Sequence, residues 1–255
     1  MIKIENTEVV GWEAAIRGMR NPKNSWDKSD SGCGCDDKIC KTCGFKPEWC
    51  GNTPRFCIGP NDHDLMMRLR NAGTDHRKFM RMIAVYVDIT APLYWWKEFD
   101  TYKVSTVANS CSTMHKITDK ELTLDDFSHE HLMDLTEGYS EDDDLVVRVS
   151  VDSPKKVLLH TIETLNYYRE MYLHTKVKPM KDESKRAELM KKYWWQMIQL
   201  LPSSYNQKRT VMLNYEVLAN IYKSRKNHKL DEWSVGFMKW IKSLPYSELI
   251  TGEVK

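Results

Sequence analysis

Six cysteines lie within 25 positions: Cys33, Cys35, Cys40, Cys43, Cys50 and Cys57. Their spacing is C-x-C-x4-C-x2-C-x6-C-x6-C. Thiolates bind zinc tetrahedrally, and four of them from one short segment can order a stretch that has no core of its own. Only Cys40–Cys43 has the two-residue step of a zinc knuckle. The same thiols also fit a reduced, unligated state, disulfides in an oxidising compartment, or an iron–sulfur cluster. A second group sits far downstream. Asn214, Asn220 and Arg225 are spaced N-x5-N-x4-R and are followed by His228. Asparagine disfavours helix interiors, so two of them ahead of an arginine point to polar work by that segment. The spacing places Asn214 and Asn220 off any shared tight face of a helix. The third group is the stretch STVANSCSTMHK at 105–116, dense in hydroxyls, with one amide and one thiol. Nothing in a core requires it. A nucleophilic Cys111 would need a lowered pKa from Lys103, His115 or Lys116. A small buried thiol filling space is the expectation there.

These residues need elements to position them. The chain has 255 residues, enough for a sizeable core. It is 41% hydrophobic and 29% charged, the composition of a globular protein. Its net charge of +2 gives no electrostatic case for a nucleic acid or membrane partner. No apolar run reaches the roughly 20 residues that span a bilayer. The N-terminal segment lacks the apolar core of a signal peptide, so a cytoplasmic location is expected.

Ile2 and Ile4 mark a short strand and Trp12–Arg17 a short helix. Residues 21–61 are rich in Gly, Pro, Asn, Asp and Cys without an apolar period, and read as an insert. DHDLMMRLRNAG reads as a helix with an aspartate N-cap and Gly73 beyond its end. MIAVYVDIT is β-branched and partly alternating, a strand. Pro92 then opens a buried helix, LYWWKEF, and 105–116 leaves that helix as a loop. ITDKELTLDDF reads as a capped short helix. VLLHTIETLNYYREMYLHT, ESKRAELMKKYWWQMIQLL, VMLNYEVLANIYKSR and LDEWSVGFMKWIKSL each show apolar spacing near 3.6. The expectation is one α+β domain over 1–255, with a few strands early and a mainly helical C-terminal half.

Two segments resemble the flavin-dependent thymidylate synthases of the ThyX type. In that family a strand ends in a K-A-P or S-A-P tripeptide, a helix bearing Arg-Gln follows, and then the signature R-H-R-x-x-S-x-N-x-x-S-x-R. Here the strand ends in Thr90-Ala91-Pro92, and the helix carries Lys97–Glu98. Lys103 falls on the last Arg of the triplet. With one extra residue after Thr106, Asn109 falls on the signature Asn, Ser110 on the Glu and Ser112 on the second Ser. The downstream match runs from Leu200–Pro202 through Asn214, Asn220 and Arg225 to His228 and Trp233. The departures are Thr101 and Tyr102 for the first Arg and His, and Met114 for the final Arg. Met82 stands where the family has a His before the strand.

The resemblance implies a ThyX-like fold, a small antiparallel sheet packed with helices, and a homotetramer with active sites between subunits. It implies FAD, reductive methylation of dUMP to dTMP, methylenetetrahydrofolate as the methylene donor and NADPH as the reductant. Arg225 and Ser112 would be catalytic. Lys103, Asn109, Asn214, Asn220 and His228 would hold the cofactor. Lys97, Glu98, Ser110, Ser112, His115, Lys116 and Arg225 would hold the nucleotide. The altered signature leaves two other readings: another pyrimidine nucleotide or hydroxymethyl transfer on the same fold, and a non-catalytic nucleotide-binding member.

Overall fold

The computed structural model describes residues 2–33, 56–134 and 152–253. In chain order, β1 is Lys3–Val10 and α1 is Trp12–Arg20. Gly32–Cys33 (β2) pairs antiparallel with Phe56–Cys57 (β3), in the register Gly32↔Cys57 and Cys33↔Phe56. There follow α2 (Pro60–Asn71), β4 (Ala84–Pro92) and α3 (Leu93–Phe99). Next come β5 (Val107–Ser110), α4 (Thr113–Lys116), α5 (Pro154–Val177) and α6 (Glu183–Leu200). The chain then forms β6 (Asn206–Asn214), α7 (Tyr215–Arg225) and a π-helical stretch Glu232–Phe237. It ends in α8 (Met238–Ser243) and α9 (Glu248–Thr251). The main sheet has the order β1-β4-β6-β5 and is antiparallel. The α+β class expected from the sequence is what the structure has.

The described chain divides into two compact units. One comprises Ile2–Ile89, Asp100–Asn109 and Arg209–Lys255. Its core follows from the two-residue period of β4. Val85, Val87 and Ile89 are buried on one face, and Asp88 lies on the other. Asp88 accepts hydrogen bonds from Asn6 Nδ2 at 2.9 Å and Thr210 Oγ1 at 2.7 Å, which ties three strands together. Gly11 joins β1 to α1 with φ of +95°, and a Cβ there would lie 2.1 Å from the Met82 carbonyl oxygen. Only glycine fits that joint.

A buried ion pair organises the segment leading to the cysteine-rich stretch. Arg20 on α1 donates through Nε to Asp62 Oδ1 at 2.6 Å, and the two side chains are 5% and 0% exposed. Arg20 also donates to the carbonyls of Ser25 and Lys28. Asp62 Oδ2 accepts from Ser29 Oγ, Ser31 Oγ and the amides of Asp30 and Ser31. Asp62 therefore does not cap its helix, as the sequence pattern had implied. Gly59 is the N-cap, and Asp30 reaches across to accept from the amides of Asn61 and Asp62. The carboxylate that looked like a cap is needed to neutralise a buried arginine.

The other unit comprises Thr90–Phe99 and Ser110–Lys208. Here α5 and α6 pack on one another. Ile117, Leu122, Phe127, Leu158, Ile162, Leu165 and Met197 form its core. Ser153 caps α5 by accepting from the Lys156 amide. Asn166 on α5 bonds both the amide and the carbonyl of Leu122, at 2.9 and 2.8 Å, and so fixes the irregular segment before it. The short helix expected in ITDKELTLDDF is a 3-10 turn at Leu124–Asp126 closed by a Thr123–Asp126 capping box.

Two further expectations are corrected. The helix read over VMLNYEVLANIYKSR is a strand up to Asn214 and a helix only from Tyr215. Val211 and Leu213 are buried at a two-residue interval, and a short apolar run does not separate that period from 3.6. The loop read over 105–116 contains the exposed strand β5 and the short helix α4.

Candidate functional site

Arg225 ends α7, where a cation complements the exposed carbonyls of the last turn. Its Nε donates to the Tyr102 hydroxyl oxygen at 2.9 Å. Its guanidinium carbon lies 5.3 Å from the Trp233 ring centre and 5.8 Å from that of Tyr102. A guanidinium bonded to the phenol oxygen at that distance sits off the ring's edge. The cation–π contact is therefore with Trp233, and the contact with Tyr102 is the hydrogen bond. Trp233 is fully buried in the π-helical stretch, a distortion frequent at functional sites. It packs edge-on against Phe237, Tyr102 and His228. The His228 amide donates to the Arg225 carbonyl, and its Nδ1 accepts from the Leu230 amide at 3.2 Å. That bond requires an unprotonated Nδ1. Arg225 is thus held on two sides.

The two asparagines of the same segment do different things. Asn214 is 4% exposed and is the N-cap of α7, its oxygen accepting from the Val217 amide at 3.0 Å. It belongs to the strand–helix joint and not to a helix face. Asn220 is exposed on α7, and its oxygen accepts from Arg77 Nη2 at 3.0 Å. Among the described residues its amide nitrogen has no partner. Arg77 and Arg81 both pair with Glu216 in the first turn of α7. Burial raises the Glu216 pKa, but the bonds from Arg81 and Arg77 outweigh it and hold the carboxyl below its ordinary value. Lys103 and Asn109 are exposed, and their side chains make no hydrogen bond among the described residues.

The remaining candidates fall in the other unit. Ser110, Cys111 and Ser112 are exposed. Cys111 is not the buried filler expected from its type. Its amide bonds the Lys208 carbonyl, and its carbonyl accepts from Gln207 Nε2. Ser112 caps α4, with Oγ 3.2 Å from His115 Nδ1. Lys116 is bound to Asp119 at 2.8 Å. The cations proposed to activate Cys111 within this unit are therefore engaged with other groups. Lys97 is exposed in the last turn of α3, and Glu98 beside it is half-buried. Met114 is exposed, and its carbonyl accepts from Trp194 Nε1 at 3.0 Å. A hollow of about 330 Å³ in this unit is lined by Tyr94, Ser128, His129, Glu130, Thr161 and neighbours. None of the candidate catalytic, cofactor-binding, nucleotide-binding or metal residues lines it.

Cys35, Cys40, Cys43 and Cys50 lie outside the described residues. Cys33 and Cys57 stand on β2 and β3. Among the described residues no group of three His, Cys, Asp or Glu side chains could hold a metal ion. No described helix is long and apolar enough to cross a membrane.

Tyr102 is the residue that sequence reasoning missed. It stood out only as a departure, and its partner Arg225 is 123 positions away. No local spacing announces such a pair. Trp233 was marked by resemblance, without its stacking role.

No protein-family model matches the chain, and no curated protein sequence matches it. Solved structures do. The thymidylate synthase ThyX from Helicobacter pylori, solved with FAD and dUMP, aligns with a TM-score of 0.57 at 15% identity, over 99% of this chain and 98% of that one. A second structure of the Helicobacter pylori enzyme, also complexed with FAD and dUMP, gives 0.58 at 14% identity, over 98% of both chains. The UMP/dUMP methylase PolB from Streptomyces cacaoi, bound with 5-Br UMP, gives 0.49 at 14% identity, over 99% and 94%. The likeness to the first two runs through nearly the whole of both chains: this chain has the fold of the flavin-dependent thymidylate synthases.

Proposed function

We propose that the chain is a flavin-dependent enzyme acting on a pyrimidine deoxynucleotide, in its simplest form by reductive methylation of dUMP to dTMP. The observation that carries the reading is Arg225, fixed by Tyr102 and Trp233 at the end of α7. A positioned guanidinium can stabilise negative charge developing on a pyrimidine carbonyl as C5 becomes nucleophilic. Two structures of the same fold hold FAD and dUMP, which supports the choice of ligands.

The residues present fit a flavin dinucleotide. Lys103, Asn109 and the Asn220 amide nitrogen are donors without acceptors among the described residues, and a dinucleotide offers phosphate and ring oxygens. Asn214 contributes by fixing the start of α7, and His228 by packing on Trp233. FAD supplies the hydride chemistry when bound, with NADPH as reductant and methylenetetrahydrofolate as methylene donor. The chain's residues bind and orient. Lys97, Lys116 and His115 offer positive or donor groups to a phosphate, and Glu98, Ser110 and Ser112 offer hydrogen bonds to the nucleotide. A homotetramer acting in the cytoplasm is part of the same reading.

One observation favours a second reading, another pyrimidine nucleotide or hydroxymethyl transfer on the same fold. Met114, at the place of an arginine in the resembled signature, is 55% exposed and brings no charge. The absorbance spectrum of the purified protein, with and without dUMP, tests both readings. A yellow protein with bound FAD, perturbed by dUMP and rescuing a thymidine-requiring strain, is the expected result. FAD and nucleotide binding without rescue selects the second reading. A colourless protein that binds no FAD overturns both.

For the cysteine-rich stretch we propose a structural zinc site drawn from Cys33, Cys35, Cys40, Cys43, Cys50 and Cys57. The β2–β3 pairing that puts the first and last of them on adjacent strands supports it. Elemental analysis should find zinc in the wild type and none after joint replacement of Cys40 and Cys43 by serine. A zinc-free wild type with every thiol titratable removes the site.

A further inference from the structure

We infer that the Tyr102 hydroxyl carries the charge of Arg225 to the substrate, donating its own proton to a carbonyl oxygen of the bound pyrimidine. The inference rests on the nucleotide reading above. Four features of Tyr102 lead to it. Its oxygen already accepts from Arg225 Nε at 2.9 Å. A phenol has one proton to give, and among the described residues that proton has no acceptor. The ring is set by its edge-on contact with Trp233, at 6.3 Å between centres and 63° between planes, so the direction of the O–H is restricted. The side chain is only half-buried, so a ligand can reach it.

The chemistry follows from the order of the two bonds. Arginine stays protonated at any working pH. An N–H given to a phenol oxygen draws electron density from it and makes its O–H a stronger donor. The pair therefore acts in series: guanidinium to phenol, phenol to ligand oxygen. As negative charge builds on that oxygen, the O–H bond to it strengthens, and Arg225 supports the phenol without having to move. A phenylalanine would keep the contact with Trp233 and lose both the acceptor of the Arg225 Nε–H and the donor to the ligand. Packing alone thus gives no reason for the hydroxyl.

The test compares wild type, Tyr102→Phe, Arg225→Ala and the double variant. Each is assayed for thermal unfolding, FAD content, dUMP affinity by calorimetry, and kcat and KM. Tyr102→Phe is expected to keep its FAD and to melt within a few degrees of wild type, because the fold loses the hydrogen bond from Arg225. It is expected to lose about tenfold to a hundredfold in kcat/KM, the scale of a hydrogen bond to a charged partner. In the Arg225→Ala background the same change should cost twofold or less, because the two groups act as one unit. The loss in affinity on removing the hydroxyl should be equal for dUMP and deoxyuridine. A loss seen with dUMP alone moves the acceptor to the phosphate and overturns the carbonyl assignment. A Tyr102→Phe enzyme within twofold of wild type, or losses that multiply in the double variant, overturns the inference and leaves the nucleotide reading standing. A wild type that binds neither FAD nor dUMP overturns both.

Discussion

Arg225→Ala is expected to lower kcat/KM for the nucleotide by about 10²- to 10³-fold, the usual cost of removing one group that stabilises developing charge. FAD content should not change. The melting temperature should fall by only a few degrees, the scale of losing contacts such as the hydrogen bond to Tyr102 and the cation–π contact with Trp233. Arg225→Lys is expected to lie between the two. Lysine keeps the charge but has no Nε–H in a rigid fork to give Tyr102 while facing a ligand. Steady-state kinetics alongside thermal unfolding separate these outcomes. An Arg225→Ala enzyme with an unchanged rate takes Arg225 out of the site and removes the main support for the proposed reaction.

The largest effect on stability is expected at Asp62. Asp62→Ala leaves Arg20 buried without its carboxylate, and strips acceptors from Ser29, Ser31 and two amides. Breaking a buried pair from one side costs about 3–5 kcal/mol, a large share of the 5–15 kcal/mol that holds a typical domain. Urea unfolding measures it directly. Replacing Arg20 by Met and Asp62 by Leu together should cost less than Asp62→Ala alone, because no buried charge is then left unpaired. The pH dependence has a definite sign. Burial pushes the Asp62 pKa up, but the hydrogen bonds from Ser29, Ser31 and Arg20 outweigh it and hold the carboxyl below its ordinary 3.8. A folded-state pKa below the unfolded one stabilises the native state above the unfolded value. That contribution fades as pH falls from near 4 through the lower folded value. Wild type should show this acid loss, and Asp62→Asn should not. Equal stability of wild type and Asp62→Ala would remove the pair as an organising contact.

The long helices of the C-terminal half were legible in the sequence because Pro154–Val177 and Glu183–Leu200 repeat their apolar residues over several turns. The strand Ala84–Pro92 was legible because its apolar residues alternate and are β-branched. The strand Asn206–Asn214 was not. Its buried face is only Val211 and Leu213 before the cap, and the helix that follows lent it an apparent helical period. The aspartate of Pro60–Asn71 misled for a related reason. A carboxylate near a helix start looks the same whether it caps its own amides or neutralises an arginine from another helix. At the candidate site, Arg225 and the asparagines stood out by type and spacing. The Tyr102–Arg225 bond did not, because it joins residues that meet only when the chain is folded. Asn214 shows the converse: its type and spacing marked it for a ligand, and its burial and hydrogen bond show a cap.

The β2–β3 ribbon has a consequence of a different kind. Cys33 faces Phe56 and Gly32 faces Cys57, so the chain leaves and re-enters the frame at points about 5 Å apart. The frame on either side of the ribbon is anchored, by Asp30 and Ser31 on the near strand's approach and by Gly59 beyond the far one. The gap between those two points is therefore set by side chains of the frame, and not by the two residue pairs of the ribbon alone.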